Sequence, residues 1–304
     1  VTDRSKHLIS GLGTYTITNE ANGPSGFSNS SKIEVTTANA SPAAGSYAIL
    51  QYLFEGQDLQ LLGKGTADAK QMTLSFWVKS NVTGTYTLSM NDTDNSRLVG
   101  ANYTVSVSGT WEYVTLVFPA DTSGAFINDN GTSLQVEWWL GSGSNWNTGA
   151  TPAAWETVAN TDRNAGSNVN LADTIGNYFQ ITGVQLEAGD TATPFEHRSY
   201  GQELALCQRY YQFYGGETTS MIFQGVASGA ETWYTTTIFP VEMRASPTGT
   251  KQGTWTESNI ASHVLQSAWL KKSHFGRKVA SSASGSFYVY ADSSSAKYTF
   301  DAEL

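Results

Sequence analysis

Residues 134–141 read LQVEWWLG, and the fold turns on how that stretch is folded. In an extended chain successive side chains point to opposite sides. Val136, Trp138 and Leu140 then share one face, with Glu137 and Trp139 on the other. Residues 72–80, MTLSFWVKS, repeat the pattern: Leu74, Phe76 and Val78 against Trp77 and Lys79. Two strands that each pair an apolar face with a tryptophan on the reverse predict a sheet with its core on one side and aromatics on the other.

The same signal extends outward in both directions. SKIEVTT (31–37), YAILQYLF (47–54), GTYTLSMND (84–92), NYTVSVSG (102–109), WEYVTLVFP (111–119) and YFQITGVQLEAG (178–189) alternate or carry β-branched and aromatic residues. Turn-forming breaks such as NGPSG, NVTG, NDTDNS and NDNG separate them. Strands at this spacing, almost without helical periodicity, predict an all-β chain opening with a jelly-roll β-sandwich.

Helical spacing is clearest in GVQLEAGDTATPFEHRSYGQELALCQRYYQFYGG (183–216). Ser199 and Gln202 fit a capping box, Leu204, Cys207, Tyr211 and Tyr214 recur at helical spacing, and Gly215-Gly216 offers a stop. The expected organisation is a sandwich over 1–197, a connecting helix over 198–216 and a smaller C-terminal β-sandwich over 217–304. In the last part TSMIFQGVAS, TWYTTTIFPVEM, GTWTES, VLQSAWL, SGSFYVYAD and SAKYTFDAEL read as strands, and the basic run KKSHFGRK (271–278) reads as a solvated loop.

Composition narrows the function. A net charge of -9 argues against nucleic acid or an anionic membrane surface as partner, and no apolar run is long enough to span a bilayer. The single cysteine, Cys207, excludes an internal disulfide or a Cys-based zinc site in one chain. It reads as a small apolar residue of the helix rather than a nucleophile.

Catalytic motifs are missing. There is no G-x-S-x-G elbow, and His7, His197, His263 and His274 lack ligand spacing. NDTDNSR (91–97) starts like a calcium loop, but Arg97 stands where glycine belongs and no glutamate closes it. Glu34, Glu112, Glu137 and Glu187 lie on strands, with nothing to single out a hydrolytic pair. No metal, cofactor or catalytic residue is expected.

The positive signal is the aromatic surplus. Trp77 and Trp139 lie on non-core faces, and Trp146 and Trp155 sit in an unusually long connection, 141–177. Indole faces stack on sugar rings, so these four are the candidate glycan contacts. The competing expectation is that they are buried beneath the long connection or between subunits.

Several blocks carry a resemblance: EGQDLQLLGKGTADAKQMTLSFWVKSNVTGTY (55–86), GAFINDNGTSLQVEWWL (124–140), NLADTIGNYFQITGVQLEAGDTATPFEHRSYGQELALCQRYYQ (170–212) and FPVEMRASPT (239–248). Together they resemble virion structural proteins of tailed bacteriophages, of the tail-fibre-like, carbohydrate-binding-like kind. The block at 170–212 is the most specific. The resemblance implies a non-enzymatic fibre or fibre-tip module in the virion, with other virion proteins and a host-surface glycan as partners. The alternatives are a capsid decoration, head-fibre or tail-adaptor protein, or a polysaccharide depolymerase. That family's usual N-terminal lead-in is missing, so a further segment is expected ahead of Val1. Phage fibres are commonly trimeric, which makes Leu204, Cys207 and Tyr211 candidates for a homotrimer interface.

Overall fold

The computed structural model describes residues 5–218 and 221–303; the first two residues of TSMIFQGVAS and the closing Leu304 lie outside the described residues. The chain is all-β and divides at His197/Arg198 into two compact units. Among the described residues, no helix is long and apolar enough to cross a membrane.

The first unit holds β1 (Ser5–Ser10), β2 (Thr14–Glu20), β3 (Ser30–Thr37), β4 (Tyr47–Glu55), β5 (Met72–Ser80), β6 (Gly84–Asp92), β7 (Arg97–Val105), β8 (Glu112–Phe118), β9 (Thr132–Ser142), β10 (Glu156–Thr157) and β11 (Tyr178–Ala188). They form a six-stranded sheet, β1-β4-β9-β6-β7-β10, and a five-stranded sheet, β2-β3-β11-β5-β8, with every pairing antiparallel. The alternation in the two decisive strands is obeyed. Leu74, Phe76 and Val78 from β5 meet Val136, Trp138 and Leu140 from β9 in one buried cluster. Phe76 meets the Trp138 ring edge-on, with centroids 5.5 Å apart. β1 and β2 escape the pattern argument because their exposed edge positions blur the period.

β11 is broken by a bulge between Thr182 and Gln185. Gly183 there has φ +60, and the Phe27 ring lies 2.7 Å from where a Cβ would stand, so only glycine fits. Past the bulge, Gln185 and Glu187 reach the following segment: the Glu196 amide donates to Gln185 Oε1, and the Thr193 amide to Glu187 Oε2. Phe195 packs on Phe27, fixing the tail of the unit across one end of the five-stranded sheet.

The second unit opens with α1 (Tyr200–Gln208), followed by β12 (Tyr211–Gly215), β13 (Met221–Ala227), β14 (Thr232–Ile238), β15 (Thr248–Gln252), β16 (Trp255–Ser258), β17 (Ile260–Lys271), β18 (His274–Ser281), β19 (Gly285–Ala291) and β20 (Lys297–Asp301). The strands make three three-stranded sheets, β12-β20-β15, β13-β19-β16 and β14-β18-β17. Phe239, Phe275, Tyr298 and Phe300 fill one core cluster, and Ala227, Val279 and Phe287 another.

Two expectations are corrected here. The helix starts at the predicted capping box, but it stops at Gln208 instead of running on to 216. Tyr211–Gly215 pair with Lys297–Asp301 as a strand. Tyr210 and Gln212 are buried while Tyr211 and Phe213 are exposed, which is a period of two. Gly215 (φ +94) therefore ends a strand, Gly216 (φ +85) follows it, and neither caps a helix. The second correction concerns KKSHFGRK. It spans the β17–β18 turn and half of a central strand, with Phe275 and Arg277 buried. A charged residue at a core position hid the alternation. Arg277 donates from its two terminal nitrogens to the Ile222 carbonyl (3.0 Å) and Thr237 Oγ1 (2.9 Å), while its Nε is left without a partner.

Candidate functional site

The outer face of the six-stranded sheet is closed by the chain itself. Glu137 and Trp139, which alternation places there, are both fully buried. The long connection lies over them. Its Arg163 guanidinium stands 5.5 Å from both the Trp139 and the Trp146 ring and forms an ion pair with Glu137. Glu137 also accepts from Gln51 Nε2 and Ser89 Oγ, each at 3.0 Å, and Trp139 Nε1 donates to Ser89 Oγ at 2.9 Å. A buried carboxylate with this many donors is compensated. Trp155 is buried at the rim and donates to the Pro119 carbonyl (2.9 Å).

Trp139 and Trp155 thus present no ring face to solvent, and the expectation that they contact a ligand gives way to a structural role. Trp146 is half-buried against Tyr47, Trp139 and Arg163. The structure does not gather the four candidate tryptophans into one site.

Trp77 is different. It projects from β5 on the outer face of the five-stranded sheet, directly across from Tyr113 of β8. The two rings lie 5.1 Å apart, and Tyr113 is 48% exposed. Beside them, Lys79 Nζ stands 5.7 Å from the Trp111 ring. On β11, Gln180 lies across from Lys79, and Tyr178 carries Lys32 Nζ 5.2 Å from its ring. Lys32 is also paired with Glu34.

Two polar atoms on this face lack a hydrogen-bond partner although they are buried: Gln180 Oε1, in a side chain only 5% exposed, and Trp111 Nε1. One is an acceptor and the other a donor, beside two ring faces. Unmet buried polar groups are costly unless something fills them. Tyr113 and Trp111 are not among the residues expected from the sequence. The alternation in WEYVTLVF, with Trp111, Tyr113, Thr115 and Val117 on one face, was the signal that held them.

Elsewhere the polar chemistry is structural. The acidic turn at Asp92 holds the Lys64 ammonium, not an open cation site. Among the described residues no group of His, Cys, Asp and Glu has metal-binding geometry. Of the four glutamates weighed for hydrolysis, Glu137 is paired with Arg163 and Glu34 with Lys32. Glu112 accepts the amides of Ser106 and Val107, and Glu187 is held by Thr193. In the second unit Leu204 is 40% and Tyr211 37% exposed, and Cys207 is half-buried. Tyr211 stands on β12 rather than on the helix.

No protein-family description matches the chain, and no curated protein matches it. Among solved structures it is similar to the enzymatically active domain of tailspike protein 4 of bacteriophage CBA120, at 15% identity over 61% of this chain and 19% of that one, TM-score 0.35. The chain spans about a fifth of that protein's length. A similar likeness holds to the family 11 carbohydrate-binding module of cellulase Lic26A-Cel5E of Clostridium thermocellum (9% identity, 62% of this chain and 89% of that one, TM-score 0.34). A family 4 carbohydrate-binding module matches at 10% identity, over the same shares, with TM-score 0.33. At such low TM-scores these are distant likenesses, and the functional conclusion rests on the sheet face itself.

Proposed function

We propose that the chain is a non-enzymatic adhesion module of a tailed-phage virion, which holds a host-surface glycan on the outer face of the five-stranded sheet. The observation that carries the binding part is the Trp77–Tyr113 pair, partly exposed on the outer face of the sheet beside the unpartnered Gln180 Oε1 and Trp111 Nε1. Ring faces take the C–H side of a pyranose, while the amide oxygen and indole N–H take its hydroxyls. The phage part is supported by the residue blocks that resemble tail-fibre-like proteins. The ion pairs on Glu34 and Glu137 and the structural hydrogen bonds on Glu112 and Glu187 favour adhesion over hydrolysis.

A shallow site of this kind binds weakly. Several copies on one particle raise overall avidity by roughly 10² to 10⁴ without new contacts. Binding of the full chain to an array of bacterial surface saccharides tests the proposal. The Trp77→Ala/Tyr113→Ala variant is expected to lose at least about tenfold in affinity, equivalent to about 1.4 kcal/mol. Unchanged affinity in that variant, or release of reducing ends from the saccharide, contradicts it.

A further inference from the structure

The second unit carries its own groove, on the outer face of the β12-β20-β15 sheet. Register sets Tyr211, Asp301 and Thr248 in one row, then Phe213, Thr299 and Thr250, then Gly215, Lys297 and Gln252. Residues directly across from one another share a face. Tyr298 and Phe300 point to the core, so the alternate residues of β20 face outward. Three strands span roughly 10 Å across this face. The depression encloses about 520 Å³ and is lined by Tyr211, Thr248, Thr250, Gln252, Thr299, Asp301 and Glu303.

The lining has a distinctive chemistry. Thr299 is only 7% exposed, yet among the described residues its hydroxyl has no hydrogen-bond partner, and it faces the groove. The Thr248 and Thr250 hydroxyls and the Gln252 amide are likewise unengaged among the described residues. Phe213 is 59% exposed, with Lys297 Nζ 5.5 Å from its ring. Asp301 Oδ1 accepts the Glu303 amide at 2.9 Å, which holds the two acidic residues together at the Tyr211 end. Burial and the nearby Asp301 charge push the Tyr211 hydroxyl above its ordinary pKa, so it stays a neutral donor.

We propose that this groove is a second saccharide-binding site, independent of the Trp77 face and selective for neutral, hydroxyl-rich sugars. Threonine hydroxyls and a glutamine amide match ligands that present many hydroxyls, and the Tyr211 and Phe213 rings supply stacking surfaces. The Asp301 carboxylate accepts sugar hydroxyls strongly, and it repels uronates. An apolar partner surface would leave this row of hydroxyls buried without partners.

The test is calorimetric titration of the Trp77→Ala/Tyr113→Ala full chain, in which the first face is disabled. The probes are cellotetraose, laminaritetraose, mannotetraose and tetragalacturonate. At least one neutral tetrasaccharide is expected to bind, with the acidic probe at least tenfold weaker. Adding Thr250→Val, a near-isosteric exposed change, or Tyr211→Ala is expected to weaken that binding at least tenfold with the folded circular-dichroism signal intact. The inference is overturned if no neutral probe binds this chain at millimolar concentration, if Thr250→Val and Tyr211→Ala leave binding unchanged, or if sedimentation shows a self-association that Tyr211→Ala abolishes. Equal binding by the wild type and the Trp77→Ala/Tyr113→Ala chain would instead count against the first face alone.

Discussion

Lys64 shows how much of the first unit hangs on single charged side chains. Its ammonium, almost fully buried, lies 2.5 Å from Asp92 Oδ2, 3.0 Å from Asp121 Oδ2, 2.7 Å from the Gly124 carbonyl and 3.1 Å from that of Ser123. The Phe126 and Trp155 rings flank it at 5.1 and 5.0 Å. Lys64→Ala leaves Asp92 buried opposite an empty space, and losing one partner of a buried pair costs about 3–5 kcal/mol. An unfolding free energy from urea titration that falls by less than a fifth of that contradicts the assignment. Burial alone works against ionisation of Asp121, but hydrogen bonds from Arg97 and Lys64 and the Ser123 amide outweigh it and hold its carboxyl below the usual range. Its contribution is complete above the unfolded-state value near pH 4 and fades as pH falls through the lower native value. None of this was legible beforehand: Asp92 looked like the start of a poor calcium loop, and Lys64 and Asp121 meet it only through the fold. Arg163 and Glu137 are a second case, joined by a connection whose path no local pattern reveals.

At the scale of elements, the sequence was most legible where one face is buried and the other is wet. β5 and β9 followed their alternation residue by residue. α1 was legible at its start, because a capping box is local chemistry, and illegible at its end. Over Leu204 to Tyr214 the helical and strand periods overlap, and β20, the partner that decides the matter, lies far along the chain. Ser199→Ala removes the hydroxyl that accepts the Gln202 amide, at a cost of about 1 kcal/mol. Hydrogen exchange of the α1 amides is expected to speed up several-fold, with no change in β17–β20; unchanged exchange in α1 sinks that assignment. His263 on β17 carries a pH dependence. It is buried between the Tyr298 hydroxyl at Nε2 and Glu257 Oε1, 3.0 Å from Nδ1. Burial, aided by the Lys251 charge, lowers its pKa from 6.5 to about 4 despite the Glu257 contact. The fold therefore favours the neutral ring. That stability is present above pH 6.5 and is lost as pH falls toward 4. Exchange protection in β17–β20 is expected to drop over that window, and His263→Gln to flatten the drop. Equal pH profiles for the two proteins contradict this.

On the largest scale, one sheet face of the first unit is closed while the other stays partly exposed at Trp77 and Tyr113, and this asymmetry decides what the unit can hold. The connection over 143–170 covers the six-stranded sheet, anchored by Arg163 between two tryptophans. It removes Trp139 from consideration and leaves Trp77 and Tyr113 as the aromatic surface. Fold class was readable from strand spacing, and an aromatic site was foreseeable from the tryptophan surplus. Which tryptophans are free was not, because burial beneath a loop depends on where that loop returns. The most direct measurement is a two-dimensional NMR titration of the full chain with a host-surface oligosaccharide, following indole and side-chain amide resonances. The account predicts saturable shifts at Trp77 Nε1–H, Trp111 Nε1–H and the Gln180 amide, while Trp138 and Trp139 stay still. Shifts confined to other residues of the first unit, or none at millimolar saccharide, would contradict it.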